Sequence, residues 1–574
     1  MSNSDESGPI QTALAFLQQG NVDLAEMTCR AHLASAPQDI DALQLLGALL
    51  AGRNKQREAI ACFGKVIDIA PNHAAARETL RNLIGQFSRS QLSIAVRCRN
   101  EGRLDDAEAI CDAILEFDRT CFDAIFLAGS LAAQKKRFAR ALELLQVAID
   151  LRPDHVEANI NKGKVLQELG RCEAAVASYD VAISLGCGSF DVHFSRGTVL
   201  DSLGRYESAL ASYDAAIALK PEHAQAHSDQ GRMLAALVRF DAALESYDRA
   251  IALAPENAQF RVNKALALLT VGDLANGWRQ LEWRWKTGAL MSKLRHLDRP
   301  LWLGSEPIEG KTLLLHGEQG LGDTIQFCRF AGEAAKRGAK VLLEVPTPLL
   351  GLLQGVNGVD VLLPWGSQLP DFDLHCPLLS LPLGLDIDLA TIPAPQAYLH
   401  ANPSDIATWA QKLGVRSKPR VGIAWSGNPK HGNDRDRSIA LSRLLQHLPS
   451  GCDYVSLQKE VRASDLDALG SDTRLRHFGD ELQTFAATAA LCSLMDVVVT
   501  VDTSVAHLAG AIGKQTWILL PFSPDWRWLL NRRDSPWYPS VTLYRQGPRR
   551  EWSSVLDEVR RDLLKLLPDL YSAA

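Results

Sequence analysis

The first half of the sequence repeats itself every 34 residues. The segments CEAAVASYDVAI, YESALASYDAAI and FDAALESYDRAI align without gaps, and the same spacing extends towards the amino terminus with one break. The alanine that marks each copy stands at Ala25, Ala59, Ala107, Ala141, Ala175, Ala209 and Ala243. Self-similarity at such a period is typical of proteins that stack one small structural unit on the next, so this half should form a repeat array.

Glycines and prolines follow the same period as the alanines. A glycine lies five residues before the alanine position and turns the chain between two helices, while a proline twelve residues after it ends the second helix. The glycines are Gly20, Gly102, Gly170, Gly204 and Gly272, and the prolines are Pro37, Pro71, Pro153, Pro221 and Pro255. This pattern resembles the tetratricopeptide repeat family, whose unit is a helix hairpin, over about residues 10–290.

The array contains one irregular step and one degenerate copy. The step from Ala59 to Ala107 is 48 residues instead of 34, which predicts a lengthened helix or loop near residues 79–90. A last copy from Gly272 to Trp285 should cap the stack. The resemblance implies a superhelix whose concave groove holds a peptide or protein partner. The alternative is that the repeats only hold a neighbouring domain or form a homo-oligomer.

After Trp302 the pattern changes to short apolar strands that alternate with amphipathic helices. The first series begins with KTLLLHG at residues 311–317, followed by the helix DTIQFCRFAGEAAKRG. A polar, proline-flanked stretch at residues 402–419 precedes a second series, which begins with RVGIAWSG and includes DVVVTVD and QTWILLP. This alternation predicts two parallel sheets with helices on both faces, whose ligands lie beyond the carboxyl ends of the strands.

Polar side chains and glycines gather at those predicted strand ends. They are Asp323 in the first series, and Ser426, Gly427, Asn428, Gln458, Lys459, Gly479, Asp480, Asp502, Thr503, Ser504 and His507 in the second. Two adjacent sheets with such ends predict a ligand cleft between them.

The turn HGEQGLGDTIQF at residues 316–327 combines glycines with one lone acid. Gly320 and Gly322 leave the backbone open to a ligand, and the following helix favours negative charge in the ligand at its amino terminus. Asp323 suits two roles, a helix cap or a group that faces a ligand. The glycine spacing is not the dinucleotide fingerprint, and GAIGKQT at residues 510–516 lacks essential P-loop residues, so NAD and P-loop sites are excluded.

The stretch DTSVAHLAGAIGKQTWILLP follows a buried strand. An acid and two hydroxyls stand at the turn, and His507 lies one helical turn further, which suits the phosphates and ribose of a nucleotide. The alternative is an Asp-Thr helix cap followed by a packed core histidine. Trp526, Trp528 and Trp537 likewise suit either stacking on a sugar or base, or packing in the core.

Both motifs resemble bacterial family 9 glycosyltransferases, typified by the lipopolysaccharide heptosyltransferases, over about residues 310–545. That family has the GT-B architecture, two Rossmann-like domains facing each other across a cleft, and uses a nucleotide-activated sugar without a metal. The resemblance implies that Asp323 is the base that deprotonates an acceptor hydroxyl. It also implies that Asp502, Thr503 and His507 hold the diphosphate and sugar of the donor.

The remaining donor contacts follow from the strand ends and the resemblance. The phosphate-contacting lysine of the family corresponds to Lys430 or to Lys459. Ser504 stands where the family motif commonly has glycine, which leaves the identity of the sugar open. Negative charge on the departing diphosphate should be met by helix amides, hydroxyls and cations such as Lys430, Arg437 or Lys459. The predicted donor site is completed by Gly320, Gly322, Ser426, Gly427 and Asn428.

These patterns predict an all-α tetratricopeptide superhelix at residues 10–290 followed by an α/β region, and the family 9 resemblance implies that this region is a GT-B pair. An acceptor-side Rossmann-like domain is expected at 305–405, a nucleotide-sugar domain at 415–550 and a final helix at 551–574. The predicted function is glycosyl transfer from a nucleotide sugar to an acceptor, for example a protein recruited by the repeats. The alternatives are a family 41-type protein O-linked N-acetylglucosaminyltransferase and a non-catalytic scaffold with a nucleotide-binding half.

Composition excludes several other classes of protein. A formal net charge of -6 argues against a dedicated nucleic-acid binder. The acidic amino terminus and the lack of an apolar run of about eighteen residues predict a cytoplasmic protein with no transmembrane segment. Eleven cysteines without a C-x-x-C motif argue against zinc. We expect no metal and no cofactor besides the sugar donor, which is a substrate.

Overall fold

The computed structural model describes residues 8–288, 298–318 and 320–567. The chain divides into two compact units, Met1–Leu219 and Lys220–Ala574, and each unit is described by itself below. Three parts of the predicted domains lie outside the described residues: residues 289–290 of the repeat range, residue 319 of the 305–405 domain, and 568–574 of the final helix.

The described part of the first unit is built from twelve helices. They pair in sequence as antiparallel hairpins, as the predicted all-α repeat array requires. The helices are α1 Pro9–Gln18, α2 Val22–Ser35, α3 Ile40–Gly52, α4 Gln56–Ile69, α5 Ala74–Asn100, α6 Leu104–Phe117, α7 Phe122–Gln134, α8 Phe138–Leu151, α9 Val156–Glu168, α10 Cys172–Ser184, α11 Phe190–Ser202 and α12 Tyr206–Leu219. The irregular step in the repeat is explained by α5, which runs for 27 residues and includes residues 79–90.

The turns inside the hairpins confirm the role predicted for the periodic glycines. Gly20, Gly102, Gly170 and Gly204 all have positive φ, between 69° and 78°, a region that only glycine enters without a steric penalty. Repeat copies without a glycine have the same conformation at this position: Asn54 has a φ of 59° and Lys136 a φ of 57°. The turn geometry is therefore kept even where the residue type is unfavourable.

A second set of glycines lets the two helices of a hairpin approach each other. A Cβ atom at Gly163 would lie 2.6 Å from the ring of Tyr179, and one at Gly197 would lie 2.8 Å from the ring of Tyr213. Both rings are fully buried. Each periodic tyrosine therefore lies on a glycine of its own hairpin, sixteen residues earlier in the chain.

Replacing Gly197 with alanine should lower the free energy of unfolding of the first unit by about 1–3 kcal/mol, because the new methyl group meets a ring with no room to move. The matched control is Gly64→Ala in α4, where nothing lies within 4 Å of the added atom. Higher helix propensity should make that variant more stable by about 0.5–1 kcal/mol. Urea titration followed by far-UV circular dichroism measures both; a Gly197→Ala midpoint equal to or above the wild-type midpoint would contradict this packing.

The second unit begins with further repeat helices, α13 Ala224–Ala236, α14 Phe240–Leu253, α15 Ala258–Val271 and α16 Leu274–Leu281, and a 3-10 helix at Glu282–Lys286. The turn before α16 is made by Gly272, with a φ of 93°. Trp278 of α16 is buried, and its Nε1–H donates to the carbonyl oxygen of Ile387 at 3.1 Å. The predicted capping copy thus closes this part of the array against the α/β region.

The first sheet of the second unit has four parallel strands in the order β3-β2-β1-β4. Its strands are β1 Thr312–His316, β2 Lys340–Val345, β3 Val361–Pro364 and β4 Leu374–Pro377, and its helices are α17 Leu321–Phe327, α18 Ala331–Lys336, α19 Leu350–Leu353 and α20 Leu381–Gly384. In β1, Leu313 pairs with Val341 and Leu374. The central strands are continuous apolar runs because both faces of the sheet are covered.

The second sheet has six parallel strands in the order β10-β9-β8-β5-β6-β7. Its strands are β5 Arg420–Ala424, β6 Asp453–Ser456, β7 Leu475–Arg476, β8 Val497–Val501, β9 Thr516–Leu520 and β10 Val541–Arg545. The helices around it are α21 Pro403–Leu413, α22 Asp434–Arg437, α23 Leu441–His447, α24 Leu466–Ser471, α25 Phe485–Ser493, α26 Ser504–Ala511 and α27 Trp552–Leu564. Short 3-10 helices lie at Cys328–Phe330, Thr347–Leu349, Ala463–Asp465, Gly479–Glu481 and Trp526–Trp528.

Two parallel sheets with intervening helices agree with the predicted α/β class. One hydrophobic cluster runs from Leu269 of α15 through Leu313 of β1 to Val498 of β8, so the last two helices of the array and both sheets share a core. The predicted boundaries at 305–405 and 415–550 enclose the first and second sheets, and the division into domains stays a prediction. Within the described ranges, no helix is both long and apolar enough to cross a membrane.

Candidate functional site

The two motifs singled out in the sequence meet at Gly322. Helix α17 starts just after the glycine turn that follows β1, and α26 starts just after β8. A Cβ atom at Gly322 would lie 3.1 Å from Cδ2 of His507 and 3.5 Å from Cα of Ser504. Any larger residue would have to displace the His507 ring by a few tenths of an ångström, so glycine favours this close approach of the two helix starts. The structure therefore brings the turn containing Asp323 and the start of α26 to one place.

Asp323 caps the start of α17, which is one of the two roles that the sequence left open, and it also pairs with Arg527. Its Oδ2 accepts a hydrogen bond from the backbone N–H of Gly320 at 3.0 Å, which is a helix-capping contact. Its Oδ1 accepts one from Nη2 of Arg527 at 2.5 Å. Each carboxylate oxygen has two lone pairs, so each retains one beyond these contacts. The side chain is 18% exposed and thus within reach of solvent.

Arg527 ties α17 to the segment that follows β9. Its Nε donates to Oε1 of Gln326 at 2.7 Å and its Nη1 donates to Oδ1 of Asp525 at 2.9 Å, in addition to the contact with Asp323. The guanidinium also lies over the ring of Trp526, 4.3 Å from its centroid. Burial opposes the positive charge, but the charges of Asp525 and Asp323 outweigh burial and raise the pKa of Arg527.

His507 lies in the core directly beneath this contact. It is 5% exposed, its Nδ1 lies 2.9 Å from the hydroxyl oxygen of Tyr538, and its ring stacks on Trp528 at 5.3 Å between centroids. Burial lowers the pKa of His507 well below its usual value, and the charges of Arg527 and Arg329 act in the same direction. The imidazole is therefore neutral, and its surroundings match the core-histidine interpretation.

Within the described ranges, no side chain caps the start of α26. Thr503 occupies the cap position, but no side-chain hydrogen bond caps the helix, and the Oγ1 of Thr503 lies 3.4 Å from that of Thr500. Ser504 begins the helix and is half-buried. The sequence alternative of an Asp-Thr cap is thus wrong for this helix. The N–H of Ala506 donates to the carbonyl oxygen of Thr503 at 3.0 Å, so the amides left for another acceptor are those of Ser504 and Val505.

Asp502 is 7% exposed, and its backbone oxygen accepts a hydrogen bond from Nη1 of Arg437 at 2.9 Å. Burial raises the pKa of the Asp502 carboxyl group from 3.8 to about 7, and the charge of Asp525 adds to this effect. The side chain therefore keeps a proton in mildly acidic solution, unlike an exposed aspartate.

The free energy of unfolding should fall as the pH rises from about 4 to about 7, because the folded form holds the Asp502 proton that the unfolded chain has already released. Asp502→Asn should remove this loss and be more stable than wild type by up to about 4 kcal/mol at a pH of about 8. Urea midpoints at about pH 5 and about pH 8 measure it. Asp557→Asn, at an exposed position, is the control; an unchanged pH dependence in Asp502→Asn would contradict the assignment.

The predicted residues after β5 form a turn over the edge of the second sheet. Ser426 is buried, and its Oγ has no hydrogen-bond partner among the residues that the structure describes. The N–H of Gly427 donates to Oγ of Ser438 at 3.1 Å. Oδ1 of Asn428 accepts from the backbone N–H of Lys430 at 2.9 Å, which shapes the turn. The side chain of Lys430 is exposed.

Lys459 follows β6 and is exposed as well. Beside it, Nε2 of Gln458 donates to the carbonyl oxygen of Ser426 at 3.0 Å, so the ends of β6 and β5 are joined. The two lysines that the resemblance assigns to phosphate thus lie on the surface. Two arginines lie deeper, beside Gly427 and Asp502: the side chain of Arg437 is 11% exposed and that of Arg462 is 29% exposed.

Two of these arginines share one acid. Nη2 of Arg462 donates to the carbonyl oxygen of Gly427 at 3.0 Å and also bonds Asp434. Nε of Arg437 lies 3.6 Å from Oδ1 of Asp434. Arg437 was among the cations predicted from the sequence. Arg462 and Asp434 were not, because tertiary contacts bring these two residues together and no local motif marks them.

A second buried ion pair lies under the glycine turn. Nη2 of Arg284, from the 3-10 helix after α16, donates to Oε1 of Glu318 at 2.9 Å and to Oγ of Ser380 at 2.7 Å. Nη1 of Arg284 donates to Oε1 of Glu282 at 2.6 Å. Burial raises the pKa of Glu318 to about 7. The sequence analysis assigned no role to either partner.

Metal-binding side chains are not gathered here. Among residues 8–288, 298–318 and 320–567, no group of three or more His, Cys, Asp and Glu side chains is arranged to hold a metal ion. The three tryptophans with two possible roles, Trp526, Trp528 and Trp537, are buried. The structure therefore agrees with packing in the core and not with stacking on a sugar or base.

The helical part of the chain matches a known repeat family. The profile of the tetratricopeptide repeat family matches residues 40–73, 126–191, 194–258 and 238–277. These segments are tetratricopeptide repeats. Their positions fall within the range where the 34-residue period was found, which confirms the repeat prediction for this part of the chain.

Protein FlbA of Caulobacter vibrioides is similar to this tetratricopeptide-repeat chain. The two are 25% identical over 322 residues, which are 52% of this chain and 53% of FlbA. The chain thus spans about half the length of this curated relative. Two solved structures are similar as well. MamA is 22% identical, covering 29% of this chain and 97% of its own, with a TM-score of 0.28. YrrB, described as a TPR protein with an unusual peptide-binding site, is 23% identical, covering 34% and 95%, with a TM-score of 0.28.

Proposed function

We propose that this chain transfers a sugar from a nucleotide-sugar donor to an acceptor that the tetratricopeptide repeats recruit. The observation that supports the proposal most is the meeting of α17 and α26 at Gly322, which places Asp323 beside an uncapped helix start at the carboxyl ends of two parallel sheets. Ligands of open α/β sheets bind at such edges.

The chemistry needs two things from this place. Negative charge develops on the departing diphosphate, and the free amides of a helix start and nearby cations stabilise it. A base accepts the proton of the attacking hydroxyl, and Asp323 retains lone pairs for that purpose. In this proposal Asp323 is the catalytic base, and the GT-B arrangement suggested by the resemblance supplies the cleft.

His507 has a positioning role in this proposal. Its ring packs on Trp528 and lies against Gly322, so it holds the start of α26 close to the turn of Asp323. A neutral, buried imidazole of this kind contributes shape and hydrogen bonding and carries no charge towards a phosphate.

The repeats determine the class of acceptor in the proposal. Tetratricopeptide arrays are protein-interaction scaffolds, because stacked hairpins leave an extended surface on which a polypeptide lies. We therefore propose a protein acceptor and glycosyl transfer to a hydroxyl group on it. A non-catalytic nucleotide-binding scaffold is the second candidate, and the contact of Asp323 with Arg527 favours it, because this contact takes up part of the acid that a transferase needs.

The test separates these candidates with Asp323→Asn, which keeps the shape of the side chain. Wild type should be stabilised thermally by a UDP- or ADP-sugar and should add hexose, heptose or N-acetylhexosamine to proteins that co-purify with it, seen by mass spectrometry. Asp323→Asn should keep the thermal shift and lose transfer by about 100-fold or more. The control is Asp371→Asn at an exposed position. Retained transfer in Asp323→Asn would disprove the base role, and binding without any transfer by wild type would favour the scaffold.

A further inference from the structure

We propose that the diphosphate group of the donor binds between Arg437 and Arg462 over Gly427, and that these two arginines neutralise it instead of Lys430 and Lys459. This inference rests on the proposed function, because it takes the donor to be a nucleoside diphosphate sugar. It differs from the resemblance, which places the phosphate contact on a lysine.

The side chain of Arg437 connects the segments that follow β5 and β8. A Cβ atom at Gly427 would lie 2.4 Å from Nη2 of Arg437, so the guanidinium rests directly on this glycine. Its Nη1 donates to the backbone oxygen of Asp502, two residues before the start of α26. The side chain thus spans from the end of β5 to the uncapped amino terminus of α26, where an anion is favoured.

Arg462 approaches the same glycine from the end of β6. Its Nη2 donates to the carbonyl oxygen of Gly427 at 3.0 Å and to Oγ of Ser438 at 3.1 Å, and bonds Asp434 as well. Asp434 contacts both arginines. Two guanidinium groups with one shared carboxylate leave a surplus positive charge in a half-buried position.

Polar atoms without partners gather at this spot. Twelve buried side-chain nitrogen and oxygen atoms lack a hydrogen-bond partner in the described part of the chain, and four of them belong to this turn and its arginines. They are Ser426 Oγ, Asn433 Oδ1, Arg437 Nε and Arg462 Nε. Buried polar groups are normally paired, so such a concentration indicates a ligand. Three of the four atoms can donate to a phosphate oxygen. Arg462 bonds Asp434 through Nη2, and Nε of Arg437, 3.6 Å from Oδ1 of Asp434, is too far from that oxygen for a hydrogen bond.

The two kinds of cation differ in what they offer a phosphate. Guanidinium groups present forked donors that match phosphate oxygens and keep their charge when buried. Lys430 and Lys459 are exposed, where solvent screens their attraction for an anion. The arginine pair therefore suits a diphosphate better than either lysine does.

Calorimetric titration of the full chain with UDP, ADP and inorganic pyrophosphate tests the assignment. Arg437→Ala and Arg462→Ala should each weaken binding by about tenfold or more, the effect of losing a charged hydrogen bond. Gly427→Ala keeps both charges but displaces the Arg437 guanidinium, and should weaken binding as well. Matched controls are Arg435→Ala, two residues from Arg437 and largely exposed, and Gly432→Ala, where nothing lies within 4 Å of the new atom. Thermal unfolding verifies that each variant is folded.

The outcomes distinguish this inference from the proposed function. Weakening by Arg437→Ala and Gly427→Ala, with both controls within about twofold of wild type, supports the arginine site. Binding that survives in those variants but is weakened by Lys430→Ala or Lys459→Ala would overturn it and leave the proposed function standing. Equal weakening by Arg435→Ala and Arg437→Ala would show a general charge effect, which also overturns it. Absence of any binding of the three probes to wild type would overturn both.

Discussion

Arg527→Ala should lower the free energy of unfolding of the second unit by about 3–5 kcal/mol, the cost typical of removing one partner from a buried ion pair. Arg527 is 8% exposed and bonds Asp323, Asp525 and Gln326. Without Arg527, the carboxylates of Asp323 and Asp525 remain near Asp502 with no cation between them. Their partial burial keeps away the water that would otherwise stabilise their charges. The aromatic support of Trp526 is lost in addition.

Tryptophan fluorescence during a urea titration measures this effect selectively, because all twelve tryptophans of the sequence lie at Trp278 or beyond and thus in the second unit. Arg533→Ala is the matched control: Arg533 lies six residues away, is 61% exposed and pairs with Glu558. Its loss should cost at most about 1 kcal/mol. Equal midpoints for Arg527→Ala and wild type would show that the cluster around Arg527 is hydrated in solution, contrary to the structure.

Arg284→Ala is expected to have an effect of similar size, about 3–5 kcal/mol. Its guanidinium is almost completely buried and bonds Glu318, Glu282 and Ser380. Removing it leaves two acids facing each other under the glycine turn. The cost should grow as the pH rises, because Glu318, whose pKa burial raises to about 7, escapes part of the penalty by holding a proton in acidic solution.

The same fluorescence titration at about pH 5 and about pH 8 reveals that pH dependence. Glu318→Gln in the Arg284→Ala background should recover part of the loss at the higher pH, since it removes the uncompensated charge. Arg279→Ala, an exposed arginine on α16, serves as the control. A destabilisation by Arg284→Ala that is the same at both pH values would contradict the assigned role of Glu318.

Features with a local sequence period were predictable. The repeat fixes where each hairpin turns, and Gly20, Gly102 and Gly170 have the left-handed conformation that this requires. The longer step between Ala59 and Ala107 identified the region of the long helix α5. Apolar runs identified strands such as β1 and β8, because these runs are buried on both faces of a parallel sheet.

Partners distant in the chain were not predictable. Arg527 meets Asp323 across 204 positions, and Arg284 meets Glu318 across 34 positions. No residue spacing in the sequence indicates such a pair, since tertiary folding alone brings the two side chains together. The motif around His507 gave its place at the start of a helix, but not the rings of Trp528 and Tyr538 that enclose it.

The unusual length of α5 has a geometric consequence for the first unit. The step of 48 residues exceeds the usual 34 by 14, which is about 3.9 turns of α-helix. A near-integral number of turns brings the side chains after the insertion back to almost the same angular position, about 40° short of a full revolution. One end of α5 can therefore face α4 and the other end can face α6, while nearly the same row of side chains of α5 makes both contacts. The regular succession of hairpins therefore resumes after the long helix with the side chains at almost the same angular position about the helix axis.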